Sequence, residues 1–209
     1  MTRVIVTPPV LAPAALAELK DWLGITISAD DAGLTSLLGT ALEVCADYIG
    51  MVPLIATYEE MLCVPTGRSA MPGPADWQSC HFPGDWHGRA SHHGWHRLGL
   101  RPVSALISVE ALSSTGARSA LSDTQYAVRI DGDGQCAIRI PAAIGLDRAV
   151  VRFSAGLADQ WSSLPESLRH GIMRLAAHQY RQRESAGADA LPPASVTALW
   201  RPWRRMRLA

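Results

Sequence analysis

Lysine is nearly absent from this chain. Lys20 is the only one, so eighteen of the nineteen basic residues are arginine. That reflects genome composition more than function. The four cysteines, at positions 45, 63, 80 and 136, are scattered with no CxxC pair. Neither a disulfide framework nor a zinc ribbon follows, and they read as free thiols. No apolar run approaches the ~20 residues needed to cross a bilayer. Residues 1–10 lack the charged start and long apolar stretch of a signal peptide, so the expectation is synthesis in the cytosol with no membrane partner. A GxSxG elbow beside a credible histidine base is missing, which argues against nucleophilic hydrolysis. A phosphate loop is missing too, because Gly132 and Gly134 sit in a hairpin turn and not between a strand and a helix. His170 and His178 lie on the last long helix and read as surface or interface histidines. The expectation is a protein that is not an enzyme, with no catalytic residue and no cofactor.

What is present is a chain of 209 residues, 48% hydrophobic, with a formal net charge of zero. This suffices for one globular domain of roughly 150 residues with a real core, plus extensions. The zero hides a segregation. Residues 164–209 carry eight arginines against Glu166, Glu184 and Asp189, a net of +5, which leaves −5 on the rest. An acidic body with a basic terminal arm suits packing between copies, insertion into an acidic socket, or contact with phosphate.

Periodicity gives the elements. Leu16, Leu19 and Leu23 fall on one face of a short helix over 13–23 closed by Gly24. Ser28 and Asp31 resemble a capping pair for a long helix over 30–49, striped by Leu34, Leu37, Leu38, Ala41, Leu42, Cys45, Tyr48 and Ile49. Period-two segments over 54–64, 103–112, 125–130, 135–140 and 149–154 read as strands, and Asp131-Gly132-Asp133-Gly134 is a strong hairpin turn. Ser163-Leu164-Pro165-Glu166 reads as a capping box opening a helix over 164–184, with Leu168, Ile172, Leu175, Ala176 and Tyr180 inward. The fold class expected is therefore α+β: about three main helices, a small, mostly antiparallel sheet with the helices on one face, and an extended C-terminal arm. Residues 1–184 form the body and residues 185–209 a flexible linker and tail, tethered and not packed, with Leu191-Pro192-Pro193 stopping regular structure before one or two helical turns over 195–200.

Two stretches carry unusual chemistry. Residues 66–98 show no periodicity and read as an excursion from the sheet. Within it Cys80, His81, His87, His92, His93 and His96 crowd together, the residue types zinc prefers. Their spacing fits no regular zinc module, and the interleaved Trp77, Trp86 and Trp95 point instead to an inter-subunit or partner contact loop, so no metal site is expected. The last ten residues hold Trp200 and Trp203 with Arg201, Arg204, Arg205 and Arg207, and no acid. Indoles and guanidinium groups are the side chains most enriched where proteins grip partners. Partner docking is the leading reading, a nucleic-acid contact through the same arginines the alternative, and a metal-binding protein built on the histidine cluster a more distant one.

Several features in order resemble the head-tail connector, or adaptor, proteins of long-tailed bacteriophages and gene transfer agents. They are Thr7-Pro8-Pro9 before a helix with Leu16, Glu18 and Leu23; Asp30-Asp31 leading to Tyr48-Ile49-Gly50; Pro102-Val103 opening a strand; and the Asp-Gly hairpin. Then come Phe153-Ser154-Ala155-Gly156, Leu164-Pro165-Glu166 with its helix to Arg183-Glu184, and Leu191-Pro192 through Arg204. The 69–97 stretch is longer than the family's usual segment, and Trp200 with Trp203 is heavier than its usual leucine and tyrosine.

That resemblance implies a structural subunit of a particle neck. About twelve copies would form a ring beneath the portal, prolonging the DNA channel without sequence-specific binding and offering a platform to the next neck component, a stopper or tail terminator. It also implies that the arm docks into the portal protein through Val196, Leu199, Trp200, Arg201, Trp203, Arg204, Arg205 and Arg207. Assembly would take place in the bacterial cytoplasm. In the free protein, residues 185–209 are expected to be mobile, with proteolysis starting after Glu184 or inside 69–97.

Overall fold

The computed structural model describes residues 3–64, 94–141, 144, 146–182 and 192–204. The chain divides into two compact units, a strand unit (Met1–Pro8 with Ala56–Ala155) and a helical unit (Pro9–Ile55 with Gly156–Ala209). The α+β class expected from the sequence is the one observed.

In the helical unit, α1 spans Pro13–Leu23, α2 Asp31–Ile49, α3 Glu166–Gln182 and α4 Ala194–Trp200. The first two end on left-handed glycines, Gly24 and Gly50, which close the last turn without a Cβ clash. The sequence stripes become the core: Leu19 from α1, Leu34, Leu38, Ala41, Cys45 and Ile49 from α2, and Leu168, Ile172, Leu175 and Ala176 from α3 are all buried. Trp161, in a 3-10 turn at Trp161–Ser163, fills the same cluster, and its Nε1–H donates to Glu18 Oε2 at 2.7 Å. That bond satisfies an indole that burial would otherwise leave unpaired.

Both capping patterns mark a helix start without forming the expected cap. Asp31 pairs with Lys20 at 2.7 Å, and the N-cap residue of α2 is Asp30, which makes no side-chain cap bond. Asp30 instead accepts from the Tyr180 hydroxyl at 2.6 Å. Ser163 ends the 3-10 turn and α3 begins at Glu166, whose carboxylate pairs with Arg169 at 3.0 Å. In each case a nearby cation competes for the carboxylate.

Among the described residues, the strand unit holds two antiparallel sheets where the sequence suggests one. With β1 at Arg3–Thr7, β2 at Ala56–Cys63, β4 at Val103–Leu112, β5 at Arg118–Ala120 and β8 at Arg148–Ala155, the larger runs β1-β2-β8-β4-β5. The smaller runs β3-β7-β6, from Trp95–Arg97, Cys136–Arg139 and Ala127–Ile130. Strands β1, β3 and β5 were not anticipated. They are three to five residues long and β1 and β5 are almost wholly exposed, so their stability comes from pairing with a neighbour and not from a buried stripe. The predicted hairpin turn forms, with Gly134 N–H donating to Asp131 O at 2.9 Å and Gly134 at φ +74°.

Tyr58, Leu62, Val109, Val151 and Phe153 line the buried face of the larger sheet, with Tyr58 and Phe153 stacked at 6.0 Å. Among them sits Glu60, fully buried. Its carboxylate accepts the Gly99 backbone N–H (2.9 and 3.2 Å) and lies 3.7 Å from Arg3 Nε, so the buried charge is both hydrogen-bonded and paired.

Candidate functional site

The C-terminal arm was singled out by composition, and its described part, residues 192–204, is folded onto its own helical unit. Pro193 is the N-cap of α4, and its carbonyl accepts the N–H groups of Val196 and Thr197 at 2.9 and 3.0 Å. Val196 is 1% exposed and Trp200 0%, and both belong to the core formed by α2 and α3; Leu199 and Trp203 pack partly against it.

The Trp200 indole enters a notch on α3 made by Gly171. A Cβ at that glycine would lie 2.2 Å from Trp200 Nε1 and 2.9 Å from both Cδ1 and Cε2. The ring also meets Tyr48 at 5.8 Å, and its Nε1–H points at Leu168 O, 3.4 Å away. Trp203 Nε1–H donates to Ser167 Oγ at 2.9 Å. The Arg204 guanidinium lies 5.3 Å above the Tyr48 ring, while Arg201 and Arg204 are both exposed.

Where the sequence suggests a tethered, unpacked tail, residues 194–203 pack on the helical unit, with Val196 and Trp200 buried in its core. Residues 196, 199, 200 and 203 recur at i, i+3, i+4 and i+7, the spacing of an apolar helical face. That stripe was legible in the sequence. Leu191-Pro192-Pro193 stops regular structure before it, but proline also suits a helix start, where a missing N–H costs nothing. Of the other expected contacts, Leu199 and Trp203 are partly buried, and Arg201 and Arg204 project from the surface. Arg205 and Arg207 lie outside the described residues.

The contact-loop tryptophans divide similarly. Trp77 and Trp86 lie outside the described residues, together with Cys80, His81, His87, His92 and His93. Trp95 is on β3, with the guanidinium groups of Arg129 and Arg139 each 5.4 Å from its ring. His96, the one described member of the histidine cluster, has its Nε2 buried without a hydrogen-bond partner, and burial pushes its pKa below the usual 6.5. His170 stands edge-on to Trp22 at 5.2 Å, and His178 Nε2 is buried without a partner. Among the described residues no three of His, Cys, Asp or Glu group as a metal site, and no helix is long and apolar enough to cross a membrane. Burial pushes the thiols of Cys45 and Cys136 up to about 12 and about 11, the opposite of nucleophile activation.

No protein-family model matches the chain, and no curated protein does. Solved structures do. Similar chains occur in the neck of an empty gene transfer agent (GTA) particle computed with C6 symmetry (21% identity, TM-score 0.70) and in the virion of a native GTA particle (22%, 0.71). A third is in the neck of a native GTA particle computed with C12 symmetry (22%, 0.67). Each alignment covers 100% of this chain and 98% of the other. At this identity the likeness establishes a shared fold, and it runs through both units and the arm.

Proposed function

We propose that this chain is a structural, non-catalytic subunit of the neck of a phage-like particle. As a connector or adaptor, its copies would close into a ring of about twelve that joins the portal to the next neck component and surrounds the DNA channel. One observation carries the reading: the fold matches, end to end, that of chains found in gene transfer agent particles, two of them in necks computed with cyclic symmetry. A closed ring requires two different, mutually complementary surfaces on each copy. The segregation of charge along this chain supplies one ingredient of such complementarity.

In this reading the arm docks on the portal, but with a division of labour. Val196 and Trp200 anchor α4 on its own subunit. The exposed Arg201 and Arg204, the outward parts of Leu199 and Trp203, and the downstream Arg205 and Arg207 reach the partner, where guanidinium groups can fork onto carboxylates or carbonyls. The test is capture of the portal protein by the full chain and by Arg201→Glu/Arg204→Glu, a change that leaves the buried anchor in place. Loss of capture with unchanged folding supports arm docking, and equal capture by both chains overturns it. Absence of this chain from the neck of purified particles would overturn the assignment as a whole.

A further inference from the structure

The smaller sheet presents a face that the neck reading does not use. Side chains alternate along a strand, and directly paired residues share a face. The register pairs Trp95 with Arg139 and Arg139 with Ala127, and it pairs Arg97 with Ala137 and Ala137 with Arg129. One face of β3-β7-β6 is therefore built from Trp95, Arg97, Arg129 and Arg139 around two alanines, with no acid among these six positions. The three arginines alternate, Arg97 and Arg129 at the ends of one row and Arg139 in the middle of the other. Neighbouring strands lie about 4.8 Å apart, which puts the Cα atoms of Arg97 and Arg129 about 10 Å from each other across Ala137, with Arg139 two residues along the middle strand.

All three arginines are exposed, and two of the guanidinium groups are drawn over the same indole at 5.4 Å. Ala137, paired with both Arg97 and Arg129, is 2% exposed. The nearest described carboxylate pairing is Arg129 with Asp131 at 3.3 Å, between side chains 55% and 45% exposed, a weak and screened interaction. Holding two like charges on one indole, with a third on the same face, raises their mutual repulsion. An anion that approaches relieves it.

We infer that this Trp95–Arg97–Arg129–Arg139 face binds the phosphate backbone of duplex DNA. Guanidinium groups resting on an aromatic face keep their N–H edges outward and in a limited range of orientations, suited to forked bonds with phosphate oxygens. A duplex carries one negative charge per about 1.7 Å of its axis, a density that lets several neighbouring arginines each meet a phosphate at once. The contact carries no base readout, because nothing on the flat face reaches into a groove. The inference rests on the strand unit alone and is independent of portal docking by the arm.

The full-length chain is titrated with a fluorescent random-sequence duplex at several salt concentrations, and binding is read by anisotropy. Three phosphate contacts give a slope of log K against log salt of about −2.7. Arg129→Gln/Arg139→Gln should bring the slope to about −0.9 and weaken binding about tenfold or more at low salt. Should that variant fold poorly by circular dichroism, Arg97→Gln alone should reduce the slope's magnitude by about 0.9. Arg201→Gln/Arg204→Gln, on the arm, should leave the slope unchanged. Three results would each overturn the inference: no salt-dependent DNA binding by the wild-type chain, loss of binding with the arm variant in place of the sheet variants, or equal affinity for polyglutamate, which would point to an acidic protein surface as the partner.

Discussion

Gly171 sets two physical expectations against each other. In the interior of an α-helix, glycine costs about 1 kcal/mol relative to alanine, so helix propensity alone says that Gly171→Ala stabilises the protein. Packing says the reverse. The new Cβ would stand 2.2 Å from Trp200 Nε1 and 2.9 Å from two ring carbons, where carbon contacts normally sit near about 3.5 Å. The indole would have to retreat by more than about 1 Å from a site where it is fully buried and already against Tyr48. Overpacking of that severity belongs at the upper end of its range, about 3 kcal/mol, leaving a net loss of about 2 kcal/mol.

Trp200→Ala should cost about 3–5 kcal/mol through the cavity it leaves. In the Trp200→Ala background the clash is gone, so Gly171→Ala should become favourable by about 1 kcal/mol, a coupling of about 3 kcal/mol between the sites. Urea unfolding of the four chains, followed by circular dichroism with the slope m checked for constancy, measures each quantity. If Gly171→Ala raises stability in the presence of Trp200, or shifts it in the same direction in both backgrounds, the notch is not what fixes the arm.

Glu60→Ala should lower stability by about 3 kcal/mol, because it opens a hole and orphans the Gly99 N–H, while Glu60→Gln should cost about 1 kcal/mol; thermal melts that do not rank wild type, glutamine, alanine would contradict the buried-acceptor role. Burial lowers the pKa of His96, so the unfolded chain takes up the proton first. Its contribution is complete above the ordinary value of 6.5 and is lost as pH falls below it. The urea midpoint should accordingly drop from about pH 7 to about pH 5 more steeply in wild type than in His96→Gln, and parallel profiles would refute this. With its thiol pushed up to about 12, Cys45 is about one part in ten thousand thiolate near pH 8. Iodoacetamide should therefore label Cys45 and Cys136 only after unfolding, and labelling of the native protein at the unfolded rate, read by mass spectrometry, would count against their burial.

The parts of the fold that were legible in the sequence are those where one stripe of side chains decides the outcome. The Leu34–Ile49 stripe and the Leu168–Ala176 stripe became core almost residue for residue, since a helix of several turns leaves little choice about which face is buried. The strands missed were those with no stripe to read. Arg118–Ala120 is exposed at every position and exists because Glu110, Ala111 and Leu112 offer it a ladder, information held by a distant segment. The division into two sheets was hidden for the same reason, because which strands pair is a non-local matter. At the arm, composition drew attention to Trp200 and Trp203 but not to their destination. The decisive residue is Gly171, twenty-nine positions upstream, and a glycine in a helix announces no partner by itself. The Trp95–Arg129–Arg139 cluster was out of reach too, since register alone brings three separate strands to one face.

The burial of Trp200 also alters what binding through the arm can mean. An arm that orders only on docking must offset the entropy of fixing its backbone and side chains out of the interaction energy, at about 0.5–1.5 kcal/mol for each immobilised long side chain and more for the backbone. Here α4 is already ordered by Val196 and Trp200, so that cost falls on folding and not on assembly. The exposed arginines then start from a fixed base, Arg204 held over Tyr48 and Trp203 tied to Ser167. A partner meeting Arg201 and Arg204 gains charge-assisted contacts from a surface that is largely preorganised. Under the proposed docking, substituting Trp200 would weaken capture of the partner by loosening α4, while the exposed Arg201 and Arg204 would carry the contact.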